Sequence, residues 1–465
     1  MPTLLACFLC QLLLFTPFLT AQIFSGGGRP FVTAVIPVVG PSGAVIGGIS
    51  IDPDGVVTRT EIDSTGRLSQ FGSTAASAPA VGPISPSARK QSQLRKVSLK
   101  KLEQEVTRLR DAGLPLSSEV LYLAGLQRIE FVLVDQEAGD IILAGPAEGW
   151  HADEEGFVVG DTTGLPVVDL CDLITALRTT PDQSIQGVTC SMDATPDGLQ
   201  RYYEFLNSGN VEPNEQSLEQ MRLAIGNFEV TFSGIQPHSH FARTLIASDL
   251  MLKRLGMHLE ESPVRGVNSY LELMQRSNRR NASNVSPRWW LASDYQPVLR
   301  DEDGLAWQIR GQGVRAMTAG DVLNSEGEKV ETIQANPIAE RWAEDFSEHY
   351  TQLSVELPVL GKLRNCMDLT VVAALINRYQ LFEKAGFEST VLRHNDQIEL
   401  AQYDVPRFTE PQVSYARGRG GWIVTVSGGV DIDGWSVAAN TEVDARMADG
   451  LRQVLNSQGA HWWWD

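Results

Sequence analysis

Basic charge is scarce in this chain: 38 Lys and Arg stand against 57 Asp and Glu, which gives a formal net charge of −19 and a pI near 4.9. Affinity for nucleic acid or for an anionic membrane surface needs concentrated Lys and Arg, so neither partner is expected, and the acidity reads as solubility. Cysteine is scarce too, with five in 465 residues, of which Cys7 and Cys10 lie in the first apolar run. Cys171, Cys190 and Cys366 then permit at most one internal disulfide, for which Cys171 and Cys190 are nearest in sequence; buried free thiols are the plainer expectation. Beyond that first run no stretch is long and apolar enough for a transmembrane helix. The chain also lacks G-x-S-x-G, G-x-x-x-x-G-K-[ST], H-E-x-x-H and G-x-G-x-x-G, so the commonest nucleophile, phosphate, zinc and dinucleotide sites lose their easiest support. No metal and no cofactor is expected.

What is present begins with residues 4–21, LLACFLCQLLLFTPFLTA, an apolar run ending in a small residue. This is the form of a secretory signal, expected to span 1–21 with cleavage after Ala21, and it points to export into the cell envelope or out of the cell. Residues 22–63 read as a small β unit, because Phe31–Val39 and Ala44–Asp52 alternate around Gly40-Pro41-Ser42-Gly43. From 64 to 93 the composition turns to Ser, Ala, Pro and Gly without periodicity, the mark of a disordered linker.

A core domain is expected over 94–404, followed by a C-terminal β segment with a Trp-rich tail over 405–465. Leu94, Val97, Leu102, Val106 and Leu109 recur at helical spacing, and Gly113 and Pro115 end that helix. Its other face carries Arg95, Lys96, Lys100, Lys101 and Arg108, read as solvated or paired within the molecule. Farther on, strands joined by tight turns alternate with helices, as at Arg128–Asp135 and Ile141–Ala144, or at Asp169, which can cap a helix holding Leu170, Leu173, Ile174 and Leu177. The hairpin connections favour an α+β fold, with mixed or antiparallel sheets and packed helices, over a doubly wound parallel sheet.

The densest chemistry lies in Gly234–Glu260, GIQPHSHFARTLIASDLMLKRLGMHLE. Pro237 leads in, Ser239 is a good N-cap, and a helix follows over Phe241–Met257. On that helix His240, Arg243, Arg254 and His258 form one stripe, while Asp249 and Lys253, four apart, form another enclosed by core residues. The second stripe reads as a structural ion pair. His238, His240, Arg243 and Asp249 are the first candidates for a catalytic site; the two histidines would bind a metal only from extended backbone, and no third ligand is evident nearby.

Three acidic turns, at Asp52–Gly55, Asp301–Gly304 and Asp431–Gly434, read as hairpin turns rather than calcium loops. Trp289 and Trp290, with Trp462, Trp463 and Trp464 at the end of the chain, offer aromatic surface for a glycan or protein partner, although adjacent tryptophans on a strand face opposite ways and one of the first pair belongs to the core. Asn281-Ala-Ser283 and Asn284-Val-Ser286 match glycosylation sequons, read as incidental.

Tyr122–Phe131, Leu143–Trp150, His240-Phe-Ala-Arg243 with Ala247-Ser-Asp249, Met251 and Lys253, Arg310–Gly313 and Ser427–Val430 together resemble a planctomycetal family of secreted proteins catalogued only as a domain of unknown function. That resemblance, over roughly Leu94 to Val430, implies export and one large domain, and it supplies no reaction, ligand or catalytic residue. The expectation is an exported protein that binds a partner or serves a structural role in the cell envelope or outside the cell; the alternative is an exported hydrolase with an unrecognised polar site. A pocket where charged side chains from distant segments converge would favour the enzyme, and an exposed aromatic patch would favour binding.

Overall fold

The computed structural model describes residues 82–179, 187–208, 214–277, 288–318, 321–323, 329–331, 337–394, 427–447 and 463–465, together with 398, 400–403, 405–409, 411, 413–416 and 422–425. The expected signal, the small β unit, the sequons, the Asp52 turn and Trp462 lie outside these residues.

Two six-stranded sheets carry the fold. Their strands are β1 (Ser92–Ser98), β2 (Phe131–Asp135), β3 (Asp140–Ala147), β4 (Val188–Ala194), β5 (Phe228–Ser233), β6 (Arg288–Asp294), β7 (Val298–Arg300), β8 (Ala306–Gln308), β9 (Gly313–Thr318), β10 (Phe408–Thr409), β11 (Ser427–Ile432) and β12 (Thr441–Val443). The first sheet runs β1-β3-β2-β8-β7-β12 and the second β9-β6-β11-β4-β5-β10. Most neighbours are antiparallel; β11 beside β6 and β12 beside β7 are parallel. The fold is α+β, as the turn chemistry predicts. Only short turns separate β2 from β3 and β7 from β8, and antiparallel pairs alone can be joined so tightly.

Four helices matter for the site: α1 (Leu99–Asp111), α2 (Leu170–Thr179), α3 (His240–Gly256) and α4 (Pro358–Arg378). Every residue of α4 from Val359 to Ile376 is buried, so α4 is surrounded on all sides. It packs against α2, α3 and the short helix Gly434–Ala439. Its polar residues Lys362, Arg364, Asn365 and Asp368 are therefore obliged to find partners inside the protein. Asp368 does so by taking Arg128 in a two-pronged pair at 2.9 and 3.0 Å and the Tyr295 hydroxyl at 2.7 Å, which ties the first sheet to α4.

The sequence reading is corrected at several places. Leu94 and Val97 belong to β1, not to a helix: Ser98 Oγ accepts from Lys101 N and starts α1 at Leu99, while the residues before it pair with β3. The basic residues of that stretch are largely paired, with Arg95 bound to the carbonyls of Ala88, Ala124 and Lys90, and Arg108 to Glu105. Residues 82–93, assigned to a disordered linker, include a turn with fully buried Ala88 and the start of β1. The C-terminal β segment is part of the same core, because β11 lies inside the second sheet and β12 extends the first. The Asp431–Gly434 turn joins a strand to a helix: Asp433 accepts from Ser436 N at 2.9 Å as its cap. Asp301 does close a hairpin, with the amides of Leu305 and Ala306 on its carboxylate at 2.7 and 3.0 Å.

Three of the tryptophans singled out in sequence, Trp289, Trp463 and Trp464, are in the core. Trp289 is fully buried, packed 5.1 Å from the Tyr270 ring and 4.2 Å from Trp342, whereas Trp290 on the opposite face of β6 is half-buried, with Arg288 5.9 Å from its ring. Trp463 and Trp464 are buried against β1, the outer strand of the first sheet. Ser98 N donates to Trp463 O at 2.9 Å, Asp465 N to Lys96 O at 3.2 Å, and the Arg95 guanidinium lies 5.0 Å over the Trp464 ring. A bare sheet edge is a template for unwanted pairing, and the tail covers this one.

Candidate functional site

His240 is the first residue of α3. Ser239 sets it there: its hydroxyl accepts from Ala242 N at 3.0 Å and donates to Gln236 O at 2.8 Å, fixing both the cap and the turn before it. The imidazole is buried, and its Nδ1 meets both carboxylate oxygens of Asp172 at 3.0 Å. A carboxylate accepts only, so Nδ1 carries the proton of this bond. The other ring nitrogen, Nε2, is buried without a hydrogen-bond partner in the protein. Leaving such an atom unsatisfied costs ~1–3 kcal/mol, which a group entering beside it would recover.

Asp172 stands in the first turn of α2, where the helix dipole favours a carboxylate, and α2 turns Leu170, Leu173, Ile174 and Leu177 into the core. Asp169, just before α2, sends its carboxylate to Lys362 Nζ, which also donates to Val167 O at 3.1 Å. Lys362, Asn365 and Cys366 share a face of α4 by their i, i+3, i+4 spacing. Asn365 Nδ2 donates to Pro166 O at 3.1 Å, and Cys366 Sγ lies 4.0 Å from one Asp172 oxygen. Cys171 Sγ lies 4.0 Å from the other.

The charges explain the protonation. Asp169 and Asp172 face Lys362, which leaves one excess negative charge when His240 is neutral and none when it is protonated. Burial opposes an imidazolium here, but the charge and hydrogen bond of Asp172 outweigh it and the His240 pKa is raised. Burial likewise opposes the Lys362 ammonium, and Asp169 more than restores it. Both thiols are pushed well up, first by burial and then by the carboxylates of Asp172 and Asp169, so they rest as neutral S–H groups.

Cys171 and His240 line one shallow recess, with Thr175 and Tyr403 beside them and Gln236 and Gln402 exposed at its mouth; it has room for about one water molecule. Cys171 is half-buried, whereas Cys190 and Cys366 are fully buried, and none of the three is in a disulfide. One atom each of Cys171, Asp172 and His240 lies within 4.8 Å of the other two, a spacing that invites a metal ion. The Asp172 carboxylate is the hub of the three: both its oxygens meet Nδ1 of His240, and one of them also lies 4.0 Å from the Cys171 thiol.

The structure separates the residues singled out in sequence. His240 is in the recess. His238 is exposed and works as a clasp: its Nδ1 donates to Tyr403 O at 3.1 Å while its own carbonyl accepts from Tyr403 N at 2.9 Å. Arg243 lies 4.9 Å over the Tyr403 ring, whose centroid is 5.7 Å from that of His240, so these two residues position the wall of the recess. Asp249 is elsewhere, paired with Lys253 in a fully buried salt bridge, as its stripe predicts. Arg254, assigned to the histidine stripe, pairs with Glu260 at 3.1 Å. Missed were Asp169, Cys171, Asp172, Lys362 and Tyr403.

Comparison with known proteins places one stretch of this chain. The family described as "Protein of unknown function (DUF1598)" matches residues 190–270, which carry most of β4 and all of β5 and α3. A domain of unknown function is thus supported within those residues, without the planctomycetal source or the export that the resemblance over Leu94–Val430 implied, and Cys171, Asp172, Lys362 and Tyr403 fall outside the match. No curated protein and no solved structure matches the chain.

Proposed function

We propose that the chain is an exported hydrolase, acting in the cell envelope or outside the cell, whose acid–base centre is the Asp172–His240 pair. The observation that carries this reading is the buried Nε2 of His240, partnerless beside a recess while Nδ1 is held by a carboxylate. Charged side chains from α2, α3 and α4 converge behind that recess, the arrangement that general acid–base chemistry uses to set a proton's position. Export rests on the apolar run of residues 4–21. Among the described residues no helix is long and apolar enough to cross a membrane.

The second reading, a non-catalytic binding or structural component with a glycan or protein partner, keeps one support: the half-buried Trp290 with Arg288 near its ring. Trp289, Trp463 and Trp464, which would have widened that surface, are buried.

The two readings part on turnover. The purified chain, offered a panel of small neutral esters, thioesters and amides, is expected to hydrolyse at least one, and His240→Gln to slow that reaction by ~100-fold or more. Saturable binding at the recess without turnover of any compound would support the binding component instead.

A further inference from the structure

We propose that Cys171, Asp172 and His240 together hold one zinc ion, a site that goes beyond the hydrolase reading and does not need it. Along the sequence His240 has no set of ligands near it. The fold brings two from α2: one ligand atom each of Cys171, Asp172 and His240 lies within 4.8 Å of the other two. Nδ1, 3.0 Å from both Asp172 oxygens, is the imidazole nitrogen turned toward the carboxylate, and Cys171 Sγ lies 4.0 Å from one of those oxygens. Zinc bonds of about 2.0–2.3 Å put tetrahedral ligand atoms roughly 3.3–3.6 Å apart, so the imidazole and carboxylate part slightly and the thiol moves in by about 1 Å. Imidazole, carboxylate and thiol are a mixed nitrogen, oxygen and sulfur set, which suits zinc and not the oxygen-seeking magnesium or calcium.

Charge and space agree with this. Asp169 and Asp172 face the single Lys362 ammonium, one negative charge in excess while His240 is neutral. Zinc brings two positive charges and turns the Cys171 thiol into a thiolate, so the buried set then sums to zero. Sγ gives its proton to solvent, and the neutral ring carries its hydrogen on Nε2, which has no hydrogen-bond partner in the protein, instead of on Nδ1. Three protein ligands leave one tetrahedral position open, and the recess lined by Cys171 and His240 has room for about one water to fill it. The ion displaces the proton shared by Nδ1 and Asp172, so the metal-free chain is the form in which that pair acts as acid and base.

The test uses the full chain, stripped with a chelator and titrated with zinc against a chromophoric competitor, with cobalt as an optical probe. The expected result is one zinc per chain, a thiolate-to-cobalt charge-transfer band in the near ultraviolet, and protection of Cys171 by zinc from iodoacetamide in site-mapped mass spectrometry. Loss of an outer partner of a metal ligand already costs ~10–100-fold in affinity, so loss of a ligand in Cys171→Ser or His240→Gln is expected to cost ~100-fold or more. Cys171→Ser is also expected to abolish the cobalt band. The band and the protection, both read on the wild type, carry the test if a variant does not fold. No stoichiometric zinc, undiminished affinity in both folded variants, or a cobalt complex without the band overturns the proposal. None of these readouts involves an ester, so the hydrolase reading stands or falls separately.

Discussion

Asp172 holds Nδ1 of His240 with both carboxylate oxygens at 3.0 Å, joining the first turn of α2 to the first residue of α3 inside the core. This contact makes the stability of the fold depend on pH in a stated direction. The His240 pKa is raised in the folded protein, chiefly because Asp172 overcomes the effect of burial. Its stabilising contribution is therefore complete below the ordinary imidazole pKa and is lost as pH rises through the raised value. Urea unfolding at a series of pH values is expected to show this loss on the alkaline side of the ordinary histidine range. His240→Gln is expected to flatten that slope and to lower stability at acid pH by ~1–3 kcal/mol. A slope unchanged in the variant would assign the titration to another group.

Asp249 and Lys253, fully buried together on α3, predict a different result. Removing one partner of a buried pair leaves an uncompensated charge, so Lys253→Met is expected to destabilise by ~3–5 kcal/mol. Burial already holds the Asp249 carboxyl above its usual range, with Lys253 opposing. Without Lys253 the carboxyl binds a proton more readily still, so the variant loses least at acid pH and most above neutrality. The double variant Asp249→Leu, Lys253→Met is expected to recover much of the loss.

The tail gives a third expectation. Trp464 bridges to Val97, and Asp465 pairs with Lys96 at 2.7 Å, so the tail is a piece of the fold rather than a free aromatic surface. Trp464→Ala is expected to cost ~3–5 kcal/mol in chemical denaturation, as burial of a large aromatic ring implies. A variant as stable as the wild type, but impaired in capturing a partner, would restore the tail as an interaction element.

Gly428 supplies the sharpest packing test. A Cβ there would stand 1.6 Å from the backbone oxygen of Trp289 on the neighbouring strand, and backbone cannot move aside as a flexible side chain can. Gly428→Ala is expected to destabilise by more than ~4 kcal/mol, or to prevent folding, when followed by thermal unfolding and solubility. Near-normal stability would mean that β11 does not lie where this account places it.

Much of α3 was legible beforehand because its signals are local. Ser239 announces the cap, and four-residue spacing announces the Asp249–Lys253 pair. The partner of His240 was not legible, because Asp172 lies 68 residues away and the two meet only through packing of α2 on α3. Lys362, 193 residues from Asp169, is farther still. One signal was present: Asp169-Leu-Cys-Asp172 sets two carboxylates inside an otherwise apolar stretch from Val167 to Ile174, and buried carboxylates require partners. The start of α1 misled for the opposite reason. Leu94 and Val97 continue the helical spacing of Leu102, Val106 and Leu109 by coincidence, and Ser98, a capping residue, was the local sign that the helix begins after them.

Whether His240 acts as an acid and base is tested most directly by the pH dependence of ester hydrolysis by the purified chain and by His240→Gln. In the wild type the rate is expected to rise as the imidazole loses its proton, above the ordinary histidine pKa, because Asp172 raises the His240 pKa against the effect of burial. In His240→Gln the rate is expected to fall by ~100-fold and that rise to vanish. No turnover of any ester by the wild type, or superimposable profiles for the two proteins, would contradict the hydrolase reading.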